Sequence, residues 1–349
     1  MSEIRNRQWR VARYPASNEP ISSALFEWVE NSVPEPSDNQ FVVKTLYLAP
    51  GPALRGYLDP NHKQFLGNVP VGEVMRGRGI GVILSSKNPD YAVGEYFVGS
   101  LGWQDYSVQH PRGKEFVFST KKISAPLRPL SLELGILGQS GATAYFGVLE
   151  AGRIKAGDNV LVSAAAGGVG SAAGQIARIK GAAKVVGLAS TDKKCQWLVD
   201  TLGFDAAINY KTADLSHQLA EEFPKGIDLF FDSVGGDILN TGLAHISLNA
   251  RVALCGFIAT DYDPHANIGP INYRNLLYQR ATMQGFIVFD YWERFAEAEQ
   301  ALRQWHSTGE LVFCEDLSDG LENMPQAVED LFAGNNSGVK ICRVNDEQA

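Results

Sequence analysis

Gly167 and Gly170, with the residues around them, carry the most chemical information in the chain. The stretch reads Asn159-Val160-Leu161-Val162-Ser163-Ala164-Ala165-Ala166-Gly167-Gly168-Val169-Gly170, followed by Ser171-Ala172-Ala173-Gly174-Gln175-Ile176-Ala177. The apolar run predicts a buried strand, the glycines a tight turn, and the small-residue run a helix. Gly167 and Gly170 let the backbone approach a pyrophosphate, and the helix N-terminus offers N–H groups and the positive end of a dipole. Ala165 stands where the commonest version has its first glycine, so the pattern is A-x-G-x-x-G. Glycine-rich turns also exist without ligands; the position after a strand and before a helix is what gives this one its meaning.

The dinucleotide is read at the end of the next strand. An NAD site usually carries Asp or Glu about 20 residues past the glycines, on the ribose hydroxyls. Here the strand ends at Ser190, and Thr191-Asp192-Lys193-Lys194 follows. Hydroxyls and cations suit a 2′-phosphate, which a carboxylate would repel. The reading is therefore NADP(H). Asp192 is the discordant residue and is expected to point away as an N-cap. The bland alternative is that Lys193 and Lys194 simply open a solvated helix.

These residues need elements to hold them. Residues 1 to about 125 predict a β-rich domain of barrel or sandwich type, with strands at Gln40–Tyr47, Val71–Val74, Gly79–Leu84, Asp105–Val108 and Phe116–Phe118 separated by glycine turns. Ala125–Leu130 reads as a linker. The middle of the chain alternates apolar strands (Lys184–Leu188, Ala206–Tyr210, Ile227–Asp232, Arg251–Gly256) with helical stretches such as Asp192–Leu202 and Asp214–Phe223. That alternation predicts a parallel sheet with right-handed crossovers, binding at strand C-termini. The last ~40 residues return to mixed short elements ending in a strand at Val339–Val344.

Composition narrows the class. The chain has 349 residues, enough for two domains, and a net charge of -8, which argues against nucleic acid or an anionic membrane as the main partner. The first residues have no apolar signal segment, and no apolar run is long enough to span a bilayer, so the expected location is the cytoplasm. The four cysteines are far apart and the six histidines have no ligand spacing, so no metal site is expected.

The chain resembles the zinc-free medium-chain dehydrogenase/reductases, and among them the NADPH-dependent alkenal/one reductases. The resemblance covers almost the whole chain. It rests on the order and spacing of Gly141–Tyr145, Ala164–Gly170, Gly203-Phe204-Asp205, Asn209-Tyr210-Lys211, Lys225–Asp228, Val234-Gly235-Gly236, Gly285–Tyr291 and Asp319–Pro325. It implies an α/β chain: a GroES-like β-rich catalytic domain (1–127), a Rossmann doubly wound parallel sheet binding NADP(H) (128–305), and a return to the catalytic domain (306–349). It also implies a homodimer joined through the Rossmann sheets.

The resemblance further implies roles. Ala165, Gly167, Gly168, Val169 and Gly170 match the pyrophosphate turn. Lys194 matches a lysine on the 2′-phosphate, with Tyr210 and Ser190 beside it. Thr143, Ser233, Gly256, Phe286, Ile287, Val288 and Asn336 complete the cofactor set, with Phe286–Val288 as a strand lining the nicotinamide pocket. There are departures: the family's active-site tyrosine is Ala53 here, with Tyr57 four residues on. These changes leave substrate choice less determined than reaction type.

The implied reaction is metal-independent reduction of the C=C bond of an α,β-unsaturated aldehyde or ketone, by hydride transfer to the β-carbon. Tyr57 and Tyr262 are candidate donors to the carbonyl oxygen, on which charge develops; ordinary packing is the alternative for each. The competing functions are an NADPH:quinone oxidoreductase and a non-catalytic NADPH-binding protein.

Overall fold

The structure is a computed structural model that describes residues 5–16, 19–61, 67–111, 120–123, 126–259 and 269–347. The expected strand at Phe116–Phe118 and the candidate Tyr262 lie outside the described residues. Met1–Gly135, Glu315–Asn336 and Lys340–Ala349 form one compact unit, and Ile136–Cys314 with Ser337–Val339 form the other. The sequence reading places these breaks at 127/128 and 305/306. Residues 130–131 stay with the first unit because the Leu130 N–H donates to Glu347 Oε1 at 3.0 Å and Ser131 Oγ to Glu315 Oε2 at 2.7 Å. Val312 stays with the second because its N–H donates to Gln175 Oε1 at 2.7 Å and its carbonyl accepts from Gln175 Nε2 at 3.0 Å.

In the first unit, β1 (Arg5–Val11) and β2 (Phe26–Ser32) pair antiparallel. β3 (Phe41–Ala49), the short helix α1 (Leu54–Tyr57), β4 (Arg78–Ser86), β5 (Tyr96–Ser100), β6 (Tyr106–Gln109) and β7 (Lys121–Ile123) follow. Val71–Val74 is a correction: it forms a turn with Gly72 at φ 89°, and only Val74 makes an isolated pairing, with Arg10. A glycine in the left-handed region breaks a ladder that β-branched neighbours would otherwise favour. Phe41, Phe97, Trp103 and Met75 lie at the centre of this unit's core.

The second unit opens with α2 (Gln139–Phe146) and then alternates strand and helix: β8 (Asn159–Val162), α3 (Gly168–Ile179), β9 (Lys184–Ala189), α4 (Asp192–Asp200), β10 (Ala206–Asn209), α5 (Leu215–Glu222), β11 (Ile227–Asp232), α6 (Gly236–Ala244), β12 (Ile246–Leu254), α7 (Arg274–Tyr278), β13 (Thr282–Gly285) and α8 (Phe295–Ser307). The chain then returns to the first unit with β14 (Glu315–Asp319), α9 (Met324–Ala333) and β15 (Val339–Arg343). There the sheet order is β14-β15-β3-β4-β5-β7, with β6 on β3.

The second unit's sheet is parallel, in the order β10-β9-β8-β11-β12-β13. Strands covered by helices on both faces read as near-continuous apolar runs, as β9 and β11 do. Leu161, Val186, Leu188, Phe230 and Val252 lie in one core cluster, each worth about 1.5–3 kcal/mol when fully buried. α3 packs closely because its residues are small: a Cβ at Gly174 would run into the Phe204 ring. The strand order steps one way from β8 to β10 and the other way from β11 to β13. That places a topological switch point between β8 and β11, where ligands of such sheets sit at the strands' carboxyl ends.

Candidate functional site

At that switch point the chain leaves β8 through Ser163, whose N–H donates to Phe231 O at 3.0 Å. Ser163 Oγ donates to Asp232 Oδ1 at 2.6 Å and accepts the Ser233 N–H at 2.8 Å. The Asp232 carboxyl also accepts the N–H groups of Val234 (3.1 Å) and Gly235 (2.9 Å). Burial pushes the Asp232 pKa up, while these bonds act against the rise. Ser163 and Asp232 thus tie the exit of β8 to the exit of β11. The sequence reading missed both; a buried acid at a strand end, just before Ser-Val-Gly-Gly, is the signal that was available.

Next, Ala164 takes φ 47°, a left-handed conformation that costs an alanine roughly 1–2 kcal/mol. Ala165 is buried, its N–H bound to Leu188 O at 3.0 Å, and Gly167 donates to Ala164 O at 2.9 Å. Gly167 caps α3, which has no side-chain cap bond. The N–H groups of its first turn, from Gly168 to Gly170, therefore have no intrahelical or side-chain cap acceptor and suit an anion.

The glycines divide the work. A Cβ at Gly167 would meet only Ala164 O, at 3.2 Å, so this position has open space beside the helix end. A Cβ at Gly170 would run into Ala164 O, and one at Gly168 would press on Val339 Cγ2 at 2.6 Å. Gly167 is the point of close approach; Gly170 lets helix and strand pack. Gly338 lies beside the turn as well, pairing with Gly167 and donating its N–H to Ala166 O at 2.8 Å. At φ 79°, and with a Cβ there running into Cys314 O, that position requires glycine.

Ser190 follows β9 and Tyr210 follows β10; the two strand ends are side by side, Asn209 opposite Ala189, and the Tyr210 N–H bonds Ala189 O at 3.1 Å. Burial raises the Tyr210 pKa. Thr191, not Asp192, caps α4, its Oγ1 accepting the Lys194 N–H at 3.3 Å. Asp192 is the first helical residue, and its Oδ1 accepts from Asn209 Nδ2 at 2.7 Å.

At the exits of β11 and β12, the Ser233 hydroxyl is buried beside the Cys255 thiol, to which it makes a weak hydrogen bond. Gly256 lies close to the Ser233 backbone, since a Cβ there would be 3.2 Å from the Ser233 carbonyl oxygen. A buried hydroxyl whose neighbour is a weakly bonding thiol keeps capacity for a polar group of a dinucleotide. Together with the space at Gly167 and the uncapped α3, the residues fit NADPH.

The remaining candidates are placed as follows. Thr143 lies on α2, back-bonded to Gln139 O at 2.7 Å. β13 ends at Gly285, so Phe286–Val288 are not a strand; Phe286 turns its ring onto Phe231 (centroids 6.3 Å apart), and Val288 opens a 3-10 turn. Tyr57 and Asn336 belong to the first unit. The Tyr57 ring lies under the Arg76 guanidinium at 4.5 Å and packs on the core, and Asn336 is buried. Among the described residues no group of three or more His, Cys, Asp or Glu could hold a metal ion, and no helix is long and apolar enough to cross a membrane.

Comparison with known proteins agrees with this geometry. A family model described as the N-terminal domain of oxidoreductase matches residues 7–117, and one described as zinc-binding dehydrogenase matches residues 168–304. The chain is 35% identical to an NADPH-dependent curcumin reductase of Escherichia coli (strain K12) over 345 residues, 97% of each chain. It is 37% identical to a 2-alkenal reductase (NADP(+)-dependent) of Nicotiana tabacum over 320 residues, 91% of each chain. The crystal structure of CurA from Vibrio vulnificus in complex with NADPH superposes with a TM-score of 0.89 at 34% identity, covering 97% of this chain and 99% of that one. With a full-length match at this identity, the chain belongs to the alkenal/one reductase group of the medium-chain dehydrogenase/reductase superfamily.

Proposed function

We propose that this protein reduces the carbon–carbon double bond of α,β-unsaturated ketones and aldehydes, with NADPH as the reductant. The observation that carries the reading is the end-to-end match to relatives named for a curcumin and for a 2-alkenal, both conjugated carbonyl compounds. NADPH, when bound, supplies hydride to the β-carbon. The chain's own tasks are to bind and orient the cofactor and to hold the carbonyl oxygen as negative charge gathers on it.

The proposed residue roles combine these placements with the family resemblance. Ala165, Gly167 and Val169 would hold the pyrophosphate at the N-terminus of α3, with Gly168 and Gly170 shaping the turn. Ser190, Lys194 and Tyr210 would surround the 2′-phosphate, and Ser233 and Gly256 the adjoining ribose. Thr143, Phe286, Ile287, Val288 and Asn336 are assigned to the nicotinamide end. Tyr57 and Tyr262 are the proposed donors to the substrate oxygen.

The test is NADPH oxidation followed at 340 nm with trans-2-nonenal, with NADH and nonanal as controls. Turnover with NADPH and the enal, giving the saturated aldehyde, is expected. Turnover of simple quinones alone, or tight NADPH binding with no turnover, would overturn the reading. Tyr57→Phe and Tyr262→Phe are each expected to lower kcat/KM on the enal; full activity in both would remove them as donors.

A homodimer is the proposed assembly. β13 is an edge strand, and an open edge is a template for pairing. The segment leading into it exposes Ile271, Tyr273, Leu277 (76% exposed) and Tyr278, and such a contiguous apolar edge suits an isologous contact with a second copy. Light scattering should give twice the 38.0 kDa chain mass, and Leu277→Asp should shift it to the monomer. A monomeric wild type would end the proposal.

A further inference from the structure

We propose that Asn209 is a selectivity residue for the phosphorylated cofactor: its side-chain amide holds the Asp192 carboxylate so that the acid does not compete with the 2′-phosphate. The proposal rests on the assignment of Ser190, Lys194 and Tyr210 to that phosphate.

Asp192 lies two residues after Ser190 and two before Lys194, so its carboxylate is confined to the same end of β9. An acid there is what a site for an unphosphorylated ribose uses, and a carboxylate beside a phosphate repels it. This chain keeps the acid and still belongs with NADPH-dependent relatives. The geometry resolves the conflict. Asn209 Nδ2 donates to Asp192 Oδ1 at 2.7 Å, a charge-assisted bond. On its other side, Asn209 Oδ1 accepts the Lys211 N–H at 3.2 Å. A backbone N–H can only donate, so this contact fixes which end of the amide faces Asp192. Asn209 is itself fixed as the last residue of β10, in register with Ala189 of β9. The acid is thus held from the neighbouring strand, and selectivity is set partly by what the site keeps from interfering.

The test is calorimetric titration of the full chain with 2′,5′-ADP and with ADP, which reads binding without turnover. Wild type is expected to prefer 2′,5′-ADP, and Lys194→Ala to lose much of that preference. If wild type has no preference, the site assignment falls, and the proposal with it. Asn209→Ala is expected to weaken 2′,5′-ADP by about three- to tenfold while ADP changes by less than about twofold, the scale of one unit charge released several ångströms away in a partly solvated site. The double variant Asn209→Ala/Asp192→Asn should regain the wild-type ratio of affinities. An unchanged ratio in Asn209→Ala would overturn the proposal. So would a double variant as weak as the single one, because the loss would then come from the Lys211 contact.

Discussion

At the scale of single residues, Gly167 and Gly170 are the same letter with different duties. A side chain at Gly170 must displace backbone, since its Cβ would run into Ala164 O and lie 2.9 Å from Ala165 Cα. Gly170→Ala should therefore cost about 1–3 kcal/mol of stability, as overpacking against backbone does. Gly167→Ala meets one atom at 3.2 Å and should fold with a loss under about 1 kcal/mol, yet it fills the space beside the helix end and should weaken NADPH by about tenfold or more. Urea denaturation and NADPH fluorescence titration measure the two effects; a Gly167→Ala variant that binds NADPH like wild type would show that the cofactor does not approach there. The spacing alone predicted a pyrophosphate turn but not this division, because both glycines satisfy the same pattern. Nor could spacing show that the left-handed residue is Ala164, which is not a glycine, or that a serine and an acid fasten the two strand exits from below.

At the scale of elements, legibility followed the apolar content of the buried face. β9, β11 and β15 read clearly because most of their buried residues are apolar, with Val, Ile, Leu, Phe and Cys outnumbering the buried Asp232 and Lys340. β1 escaped the reading because its buried positions include Asn6 and Gln8, satisfied by Tyr106 O at 2.9 Å and Gln104 Oε1 at 2.8 Å rather than by apolar packing. β12 starts at Ile246, five residues before the expected Arg251, through the exposed Leu248-Asn249 corner. A buried ion pair lies on the same strand: Arg251 bonds Asp158, just before β8, and donates through Nε to Gly152 O at 3.1 Å. Asp158 also accepts the Lys155 N–H at 2.7 Å. The pair bridges β8 and β12 across β11 near the amino-terminal end of β8, and so holds the register of the three strands there. Asp158→Ala should cost about 3–5 kcal/mol, because it leaves the Arg251 charge buried and unpaired. Asp158→Ala/Arg251→Met should recover much of that loss in urea denaturation. A single variant as stable as wild type would show that the pair does not organise the sheet.

At the scale of the whole molecule, the chemistry of the substrate sets a condition on the protein. The β-carbon of an enal accepts hydride, and it also accepts thiolates. A chain that handles such compounds must keep its own cysteines from adding to them. All four are free, and burial raises each thiol's pKa. Cys255, at the sheet's carboxyl edge, is pushed up to about 11, and Cys342 to about 12. The Cys342 thiol also donates to Gly320 O at 3.2 Å. Burial is the main cause for Cys195 as well, with the Asp192 charge adding to it. The thiolate is the nucleophile, and its fraction falls about tenfold for each unit by which the pKa exceeds the pH. At pH 7.4 the protein should therefore keep its intact mass during an hour with excess enal and no NADPH, while free cysteine in the same tube is consumed. Raising the pH to about 9 should bring adducts, first on the partly exposed Cys195 and Cys314 and last on buried Cys342. A mass adduct on Cys255 at pH 7.4 would show that its thiol is reactive in the fold, and the protection argued from burial would fail at a position adjoining the proposed cofactor site.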